Sequence, residues 1–375
     1  MMLLVTTEVK TMRSNEITQS EPERILQTAK TDFIRISAVT AAWAIRYVMG
    51  RHKVSDGRQL TGDDFKEISR GMDFATMPIA DREFRKSNLR IVMVSSEGKK
   101  DDAPFLEGSY GPVDGPEIET IHDAVDGTTL IAQLLSGAIS FISGNKKFGR
   151  IPPEHNYMVS QTVPPEAKRA KISLSLTKDG HKQTLLNVCE EVGIAPNELT
   201  QVLLNPTKKG REVNNIFLEA GNELKVKQRK IDAGDYMSRW FCSLSRDERL
   251  RYCEQHHLNP EEFGGYMIMV GRGGATELHA ANVIGKITGA STLAYIWDPD
   301  IEKIDTQNVF TTERFVPGDK SMAIAVATFA TACPWMKQPG VQINPDGSYT
   351  TNTMIFTAQK GIEIAKNTFS PKDLD

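Results

Sequence analysis

Apolar side chains at Ile25, Ala29, Phe33, Ile36, Val39, Trp43 and Val48 draw one stripe along the chain, so a long amphipathic helix is predicted, ended by Gly50. Residues 1–20 have no such period and read as a frayed terminus. After a polar segment a short helix is expected over 63–70, and "LRIVMV" (89–94) reads as a buried strand from its β-branched content. The stretch "IETIHDAVDGTTLIAQLL" (118–135) runs from apolar residues through a turn at Gly127 to Leu130, Ile131, Leu134 and Leu135 at helical spacing, which predicts strand, tight turn, helix. "GAISFI" (137–142) is a further strand, and the proline-bearing "IPPEHNYM" and "VPPEAK" read as connection, with a lobe boundary near 145–170.

Beyond that point the pattern alternates. A helix is expected around 183–192, then strand "TQVLL", a helix around 210–220, strand "ELKVK", helices around 235–255, strand "GYMIMV", a helix from 276 and strand "TLAYI". Such alternation predicts a parallel sheet with helices on both faces. "MAIAVATFA" and "TTNTMIFTAQ" add strands towards the C-terminus, one of them closed by Gly361. The expected organisation is a lobe over 21–150, an α/β lobe over 151–300, and strands with a helix over 301–375 completing the fold.

Composition narrows the function. With 375 residues and 39% hydrophobic content the chain can bury one large or two medium cores. A net charge of −3 gives no global field to recruit nucleic acid or an anionic membrane, so neither is an expected partner. Cys189, Cys242, Cys253 and Cys333 are scattered with no CxxC pair, which argues against a zinc site or a disulfide framework and predicts buried thiols. The N-terminal apolar run is short and has no basic residues ahead of it, so a cytoplasmic protein is expected.

Three predicted strand-to-helix junctions are rich in acid or glycine: "SSEGKKDD", "DAVDGTT" and "VGRGGATE". Ligands of α/β sheets bind at such junctions. Hard divalent cations need several oxygen donors from different loops, and Glu97, Asp123, Asp126 and Glu277 are suitable, with Asp56 as a fifth. The turn Gly127, Thr128, Thr129 opens a helix whose free N–H groups would receive phosphate oxygens. Each feature alone has a plainer explanation: "DGTT" as a turn and cap, Asp56 as part of an "SDG" turn, Glu277 as a first-turn acid complementing a helix dipole. His122 could hydrogen-bond a ligating acid, although a structural histidine is the simpler reading. His279 is read as structural, and "GRGG" as a close backbone turn at a strand end.

The set resembles the class II fructose-1,6-bisphosphatase family over roughly residues 25–365. The family's Gly-x-Gly-Glu-x-Asp-Glu-Ala-Pro is matched by "SSEGKKDDAP", its Asp-Pro-x-Glu-Gly-Thr by "DAVDGT", its Gly-Gly-Ala-Pro-Glu-Gly by "GGATEL", and its Gly-Asp-Lys-x-x-Ala-Asp by "GRHKVSD". "DAVDGT" also approaches the signature of inositol monophosphatase-like enzymes in the same lithium-sensitive superfamily. The resemblance implies a layered α/β sugar-phosphatase fold (α-β-α-β-α), with metal and phosphate bound by the first lobe and substrate by the second. It implies a phosphoric monoester hydrolase acting on a sugar phosphate or bisphosphate, two or three Mg2+ or Mn2+ ions, and a homo-oligomer, dimer or tetramer. Carried over, the metal ligands are Asp56, Glu97, Asp123, Asp126 and Glu277. Thr128 is then the catalytic threonine, with Asp56 or Asp101 as its carboxylate partner.

The departures fall at substrate positions. The family's Pro-Arg-His is Pro206, Thr207, Lys208 here, replacing a planar fork by a point charge, with Lys209 as possible compensation. Its Asp-Gly-Asp is Ala233, Gly234, Asp235, and the second Glu of its Gly-Glu-Gly-Glu is Lys99. "NYM" survives, which leaves Tyr157 as a contact for sugar phosphate. The expected substrate-binding set is therefore Gly127, Thr128, Thr129, Tyr157, Thr207, Lys208, Lys209, Gly234 and Asp235. These changes favour a substrate other than fructose 1,6-bisphosphate, such as sedoheptulose 1,7-bisphosphate. The alternative is a catalytically weak protein that binds a phosphosugar in a regulatory or assembly role.

Overall fold

The computed structural model describes residues 20–54, 59–96, 108–151, 157–207, 210–231, 235–298, 303–333 and 336–375. In chain order they form α1 (Glu21–Val54), α2 (Gly62–Arg85), β1 (Arg90–Ser96), β2 (Gly108–Tyr110), β3 (Glu117–Asp126), α3 (Thr128–Ala132), β4 (Ile139–Asn145), β5 (Tyr157–Val163), α4 (Lys178–Val192), β6 (Thr200–Leu204), α5 (Asn214–Glu223) and β7 (Lys227–Ile231). There follow α6 (Asp235–Ser243), α7 (Arg246–His256), α8 (Pro260–Phe263), β8 (Met267–Gly274), α9 (Ala275–Thr288), β9 (Ser291–Asp298), β10 (Lys303–Thr311), α10 (Thr312–Phe315), β11 (Ile324–Phe329), β12 (Gln342–Ile343), β13 (Tyr349–Thr357) and β14 (Gly361–Phe369).

Two mixed sheets result. The first has the order β12-β13-β11-β4-β3-β1-β2 with β14 also on β13, and its one parallel pairing is β1 with β3. The second has the order β10-β9-β5-β8-β6-β7. Here β6 pairs in parallel with both β7 and β8, whereas β5 runs antiparallel between β8 and β9. The expected parallel sheet therefore holds for the directions of β6 to β9, with β5 inserted against them. That insertion was read as connection, because prolines on either side of "YMVSQTV" masked a buried strand.

Helices separate and cover the sheets. Trp240 and Phe241 of α6 and Leu278 and Ile284 of α9 share one buried cluster with Phe141 and Ala325 of the first sheet and Val202 and Met269 of the second. Phe33 and Ile36 of α1 and Phe84 of α2 cover the other face of the first sheet at Ile91, Ile118 and Val326. Leu185 of α4 and Phe217 of α5 cover the outer face of the second at Val159, Leu203 and Val270. This is the α-β-α-β-α layering expected.

Several elements differ in extent from the sequence reading. α1 continues through Gly50, where a glycine costs only about 1 kcal/mol, and ends in Arg51, His52 and Lys53, which suit the negative end of the helix dipole. α2 is a 24-residue helix rather than 63–70: Thr61 and Asp64 form a reciprocal N-terminal cap, and the buried series Ile68, Met72, Thr76, Ala80, Phe84 carries it past Pro78. α3 stops after five residues, since Leu134 adopts φ +56°, and both Leu134 and Leu135 are exposed instead of continuing an apolar stripe. β7 lies at 227–231, beginning at the last residue of "ELKVK", and Gly361 starts β14 instead of closing β13. All four cysteines are buried free thiols. Among the described residues no helix is long and apolar enough to cross a membrane.

Candidate active site

Asp123 and Asp126 lie three apart on β3, a spacing that in a regular strand sends them to opposite faces. The register resolves this: Asp123 pairs with Phe141 and Asp126 with Ile139 of β4, so three steps on β3 oppose two on its partner. That one-residue bulge turns both carboxylates to the same place. Glu277 reaches it from the first turn of α9, folded back so closely over Gly274 that a Cβ there would lie 1.9 Å from its carboxylate. Oxygens of Asp123, Asp126 and Glu277 all lie within 4.8 Å of one another, with both aspartates buried.

Both aspartates are oriented by main chain. Val125 N–H donates to Asp123 Oδ1 at 2.8 Å, and Tyr236 N–H, in the first turn of α6, donates to Asp126 Oδ2 at 3.2 Å. Ser95 and Thr276 hydroxyls meet at 3.3 Å, tying the end of β1 to the start of α9. Register puts Ser96 beside His122, so β1 delivers the chain to the same sheet end as the acids. Three converging carboxylates repel one another and are costly to bury unless a cation offsets them. The donor set is all hard oxygen, which fits a divalent ion of the magnesium class.

Thr128 follows Asp126 by two residues, after Gly127 at φ +88°, a left-handed conformation that suits glycine. Thr128, Thr129 and Gln133 line one wall of a cleft of about 830 Å3, whose other wall is α2 at Phe65, Lys66 and Arg70. Tyr157 opens β5 opposite Gly274, beside α9. Thr207 is turned to its own loop, its N–H and hydroxyl both donating to Asn205 Oδ1. Asp235 is nearly buried, and its Oδ2 accepts from Arg239 Nε at 2.7 Å. Asp56, Glu97, Asp101, Lys208, Lys209 and Gly234 lie outside the described residues, as do Lys99 and Ala233.

The two histidines near the acids are structural. His122 is fully buried edge-on to Phe84, with no hydrogen-bond partner for either ring nitrogen among the described residues, and burial pushes it down to about 3. His279 Nε2 meets Phe315 O at 3.1 Å, and burial lowers it to about 4. Both are neutral at ordinary pH.

Reasoning from sequence missed Arg239 and Tyr236. The i,i+4 spacing of Asp235 and Arg239 was a legible signal for an ion pair. The glycines of "GRGG" have separate causes and form no turn: Gly271 abuts the Asn214 side chain, Gly273 the Asp235–Arg239 pair, and Gly274 the Glu277 carboxylate.

A family model described as bacterial fructose-1,6-bisphosphatase, glpX-encoded, matches residues 58–238. Over that segment, a little under half of its length, the chain is similar to the class II fructose-1,6-bisphosphatase family. A D-fructose 1,6-bisphosphatase class 2/sedoheptulose 1,7-bisphosphatase of Synechococcus sp. (strain CC9902) is 28% identical over 127 residues, 33% of this chain and 36% of that protein. The protein of the same name from Synechococcus sp. (strain RCC307) is 27% identical over 151 residues, 39% and 42% of the two chains. That of Prochlorococcus marinus (strain MIT 9303) is 26% identical over 136 residues, 36% and 39%. The matched stretch thus spans less than half the length of these relatives. Asp123, Asp126, Thr128 and Tyr157 fall within the segment matched by the family model, whereas Glu277 lies beyond it and joins the site through the fold.

Proposed function

We propose that the protein is a metal-dependent phosphatase that removes one phosphate from a sugar bisphosphate. The convergence of Asp123, Asp126 and Glu277, from β3 and from the distant α9, carries this reading. Asp56 and Glu97 complete the ligand set in the proposal, and Ser96, the last residue of β1, brings the chain to the acids just before Glu97. Magnesium or manganese bound there would polarise the phosphoryl oxygens and lower the pKa of an attacking water.

The chain's own groups do the rest. Thr128 Oγ1 accepts a hydrogen bond from that water and passes its proton to a carboxylate, Asp56 or Asp101, because a threonine hydroxyl alone is a poor base. Main-chain N–H groups of Gly127 to Thr129 hold the phosphoryl oxygens. Tyr157, Thr207, Lys208, Lys209 and Gly234 border the sugar and its other phosphate. Asp235 belongs beneath this layer, since its carboxylate is engaged by Arg239.

The relatives are named for fructose 1,6- and sedoheptulose 1,7-bisphosphate, and both are candidates here. Thr207 and Ala233 stand where the family has Arg and Asp, which favours the second. Phosphate release from both bisphosphates and the corresponding monophosphates, with manganese present and with EDTA, tests the proposal. Metal-dependent release is expected. Binding of a phosphosugar with no release from any would instead establish a binding protein.

A further inference from the structure

A strand at the margin of a sheet leaves a row of main-chain N–H and C=O groups unpaired, and such a row recruits another chain unless something blocks it. Most margins of the two sheets are blocked. β2 and β12 have three and two residues, β7 carries Lys227, Arg229 and Lys230 within five residues, and β10 shifts register against β9 between Asp305 and Val309. β14 is the exception. It has nine residues, stays in register with β13 along all of them, and pairs with no further strand among the described residues. We infer that β14 pairs antiparallel with β14 of a second copy of this chain, across a two-fold axis centred on Ala365, so that two eight-stranded sheets become one.

The side chains of β14 alternate between the faces of the sheet. Ala365 and Phe369 pack against clusters that hold Phe33, Ile36 and Val39 of α1, and Glu363 Oε2 accepts from Lys30 Nζ of the same helix at 2.7 Å. Ile362, Ile364, Lys366 and Thr368 face the other way. There Ile362 packs against the buried cluster between the sheets, whereas Ile364 is left 36% exposed beside the exposed Lys366.

Symmetry limits the register. A two-fold axis normal to the sheet keeps each face on its own side, so odd-numbered residues of one copy lie across from odd-numbered residues of the other, and even from even. Centring the axis on Glu363 or on Lys366 sets like charges across from one another, which destabilises a strand pair. Centring it on Ala365, the middle residue, pairs all nine residues of each strand and opposes no like charges. Ile364 then lies across from Lys366 of the second copy, whose methylene stem covers it. Glu363 lies across from Asn367 of the second copy, and Asn367 Nδ2 has no hydrogen-bond partner among the described residues of one copy. The edge is thus self-complementary, and each favourable pair occurs twice. That identifies the occupant as another copy of the chain.

Neither the pairing nor its test involves catalysis, so both stand apart from the phosphatase reading. Sedimentation equilibrium measures the self-association constant of the unmodified protein and of variants at position 364, where an exposed side chain can change at little cost to the fold. Far-UV dichroism checks that each variant is folded. Ile364→Lys sets a lysine against Lys366 of the other copy at two symmetry-related places, and is expected to weaken association at least tenfold. Ile364→Glu makes the same two places attractive, and is expected to associate as tightly as the unmodified protein or more so. Ile364→Lys combined with Lys366→Glu should recover association. A monomeric unmodified protein overturns the proposal and leaves the edge to a different partner. Association of Ile364→Lys within twofold of the unmodified protein overturns it too, and equal weakening by Ile364→Lys and Ile364→Glu overturns the axis at Ala365.

Discussion

The main-chain N–H of Tyr236 donates to Asp126 Oδ2 at 3.2 Å, so the first turn of α6 and the bulged end of β3 are joined at one carboxylate. The Tyr236 ring stacks on Phe141 of β4 at 4.1 Å, and its hydroxyl meets Ser143 Oγ at 3.2 Å, which fixes that first turn against the first sheet. The contact fixes the Asp126 carboxylate beside those of Asp123 and Glu277.

Asp123→Asn and Asp126→Asn should each lower metal-dependent phosphate release by about 100-fold or more at limiting manganese, since removing one charge weakens the cation and the water it activates. The fold should survive, because amide and carboxylate have the same shape and an Asn oxygen still accepts from Val125 or Tyr236 N–H. Manganese titration calorimetry and far-UV dichroism check the two halves separately. Near-normal turnover in both variants would remove the acids from the site.

Thr128→Ala should reduce kcat by roughly 10²–10⁴-fold with a small change in KM, as expected for a proton-relaying group that does not bind the ground state. Thr128→Ser keeps the hydroxyl and should retain most of the rate. Equal loss in the two variants would point instead to the packing of Thr128 against the cleft.

Much of this site was legible in the sequence, and what was not has identifiable causes. Asp123, Asp126 and Thr128 were readable because acid, glycine and threonine crowd one turn. Their convergence was not, since it needs a bulge that β4 imposes from another part of the chain. Glu277 was a candidate only through its junction, and Gly274 shows why it works: no other residue leaves room for the carboxylate to fold back. The length of α2 was hidden by Gly71 and Pro78. Gly71 lets α2 close on α1, where a Cβ would stand 2.3 Å from Tyr47 Oη, a contact that local periodicity cannot report.

Protonation of His181 should make the fold acid-sensitive. Its Nε2 meets Gln201 Oε1 at 2.6 Å and its Nδ1 meets Gln161 Oε1 at 3.1 Å, and burial lowers its pKa from 6.5 to about 4. Between those values the unfolded chain takes up the proton and the folded chain does not, so stability falls as pH drops from 6.5 towards 4. The full loss from this group is on the order of 3 kcal/mol. Urea unfolding at pH 7 and pH 5 should show a smaller decrease for His181→Gln than for the unmodified protein. An identical decrease in both would locate the sensitivity elsewhere.

Asp235 decides between support and substrate contact. Arg239 is fully buried, its Nε on Asp235 Oδ2 and its Nη1 on Ser160 Oγ, both at 2.7 Å. Removing the carboxylate leaves a guanidinium in the core without its counter-charge, which costs roughly 3–5 kcal/mol, whereas removing both partners together is far milder. Asp235→Asn should therefore lower the urea midpoint with an unchanged slope and leave KM for sugar bisphosphate near its original value in the folded fraction. Asp235→Leu combined with Arg239→Met should regain most of the stability. Gly273→Ala should destabilise by the same route, because its new Cβ would stand 2.4 Å from Asp235 Oδ2 and 2.5 Å from Arg239 Nη2. A rise in KM for Asp235→Asn with the urea midpoint unmoved would return the residue to the substrate, as its position in the chain first suggested.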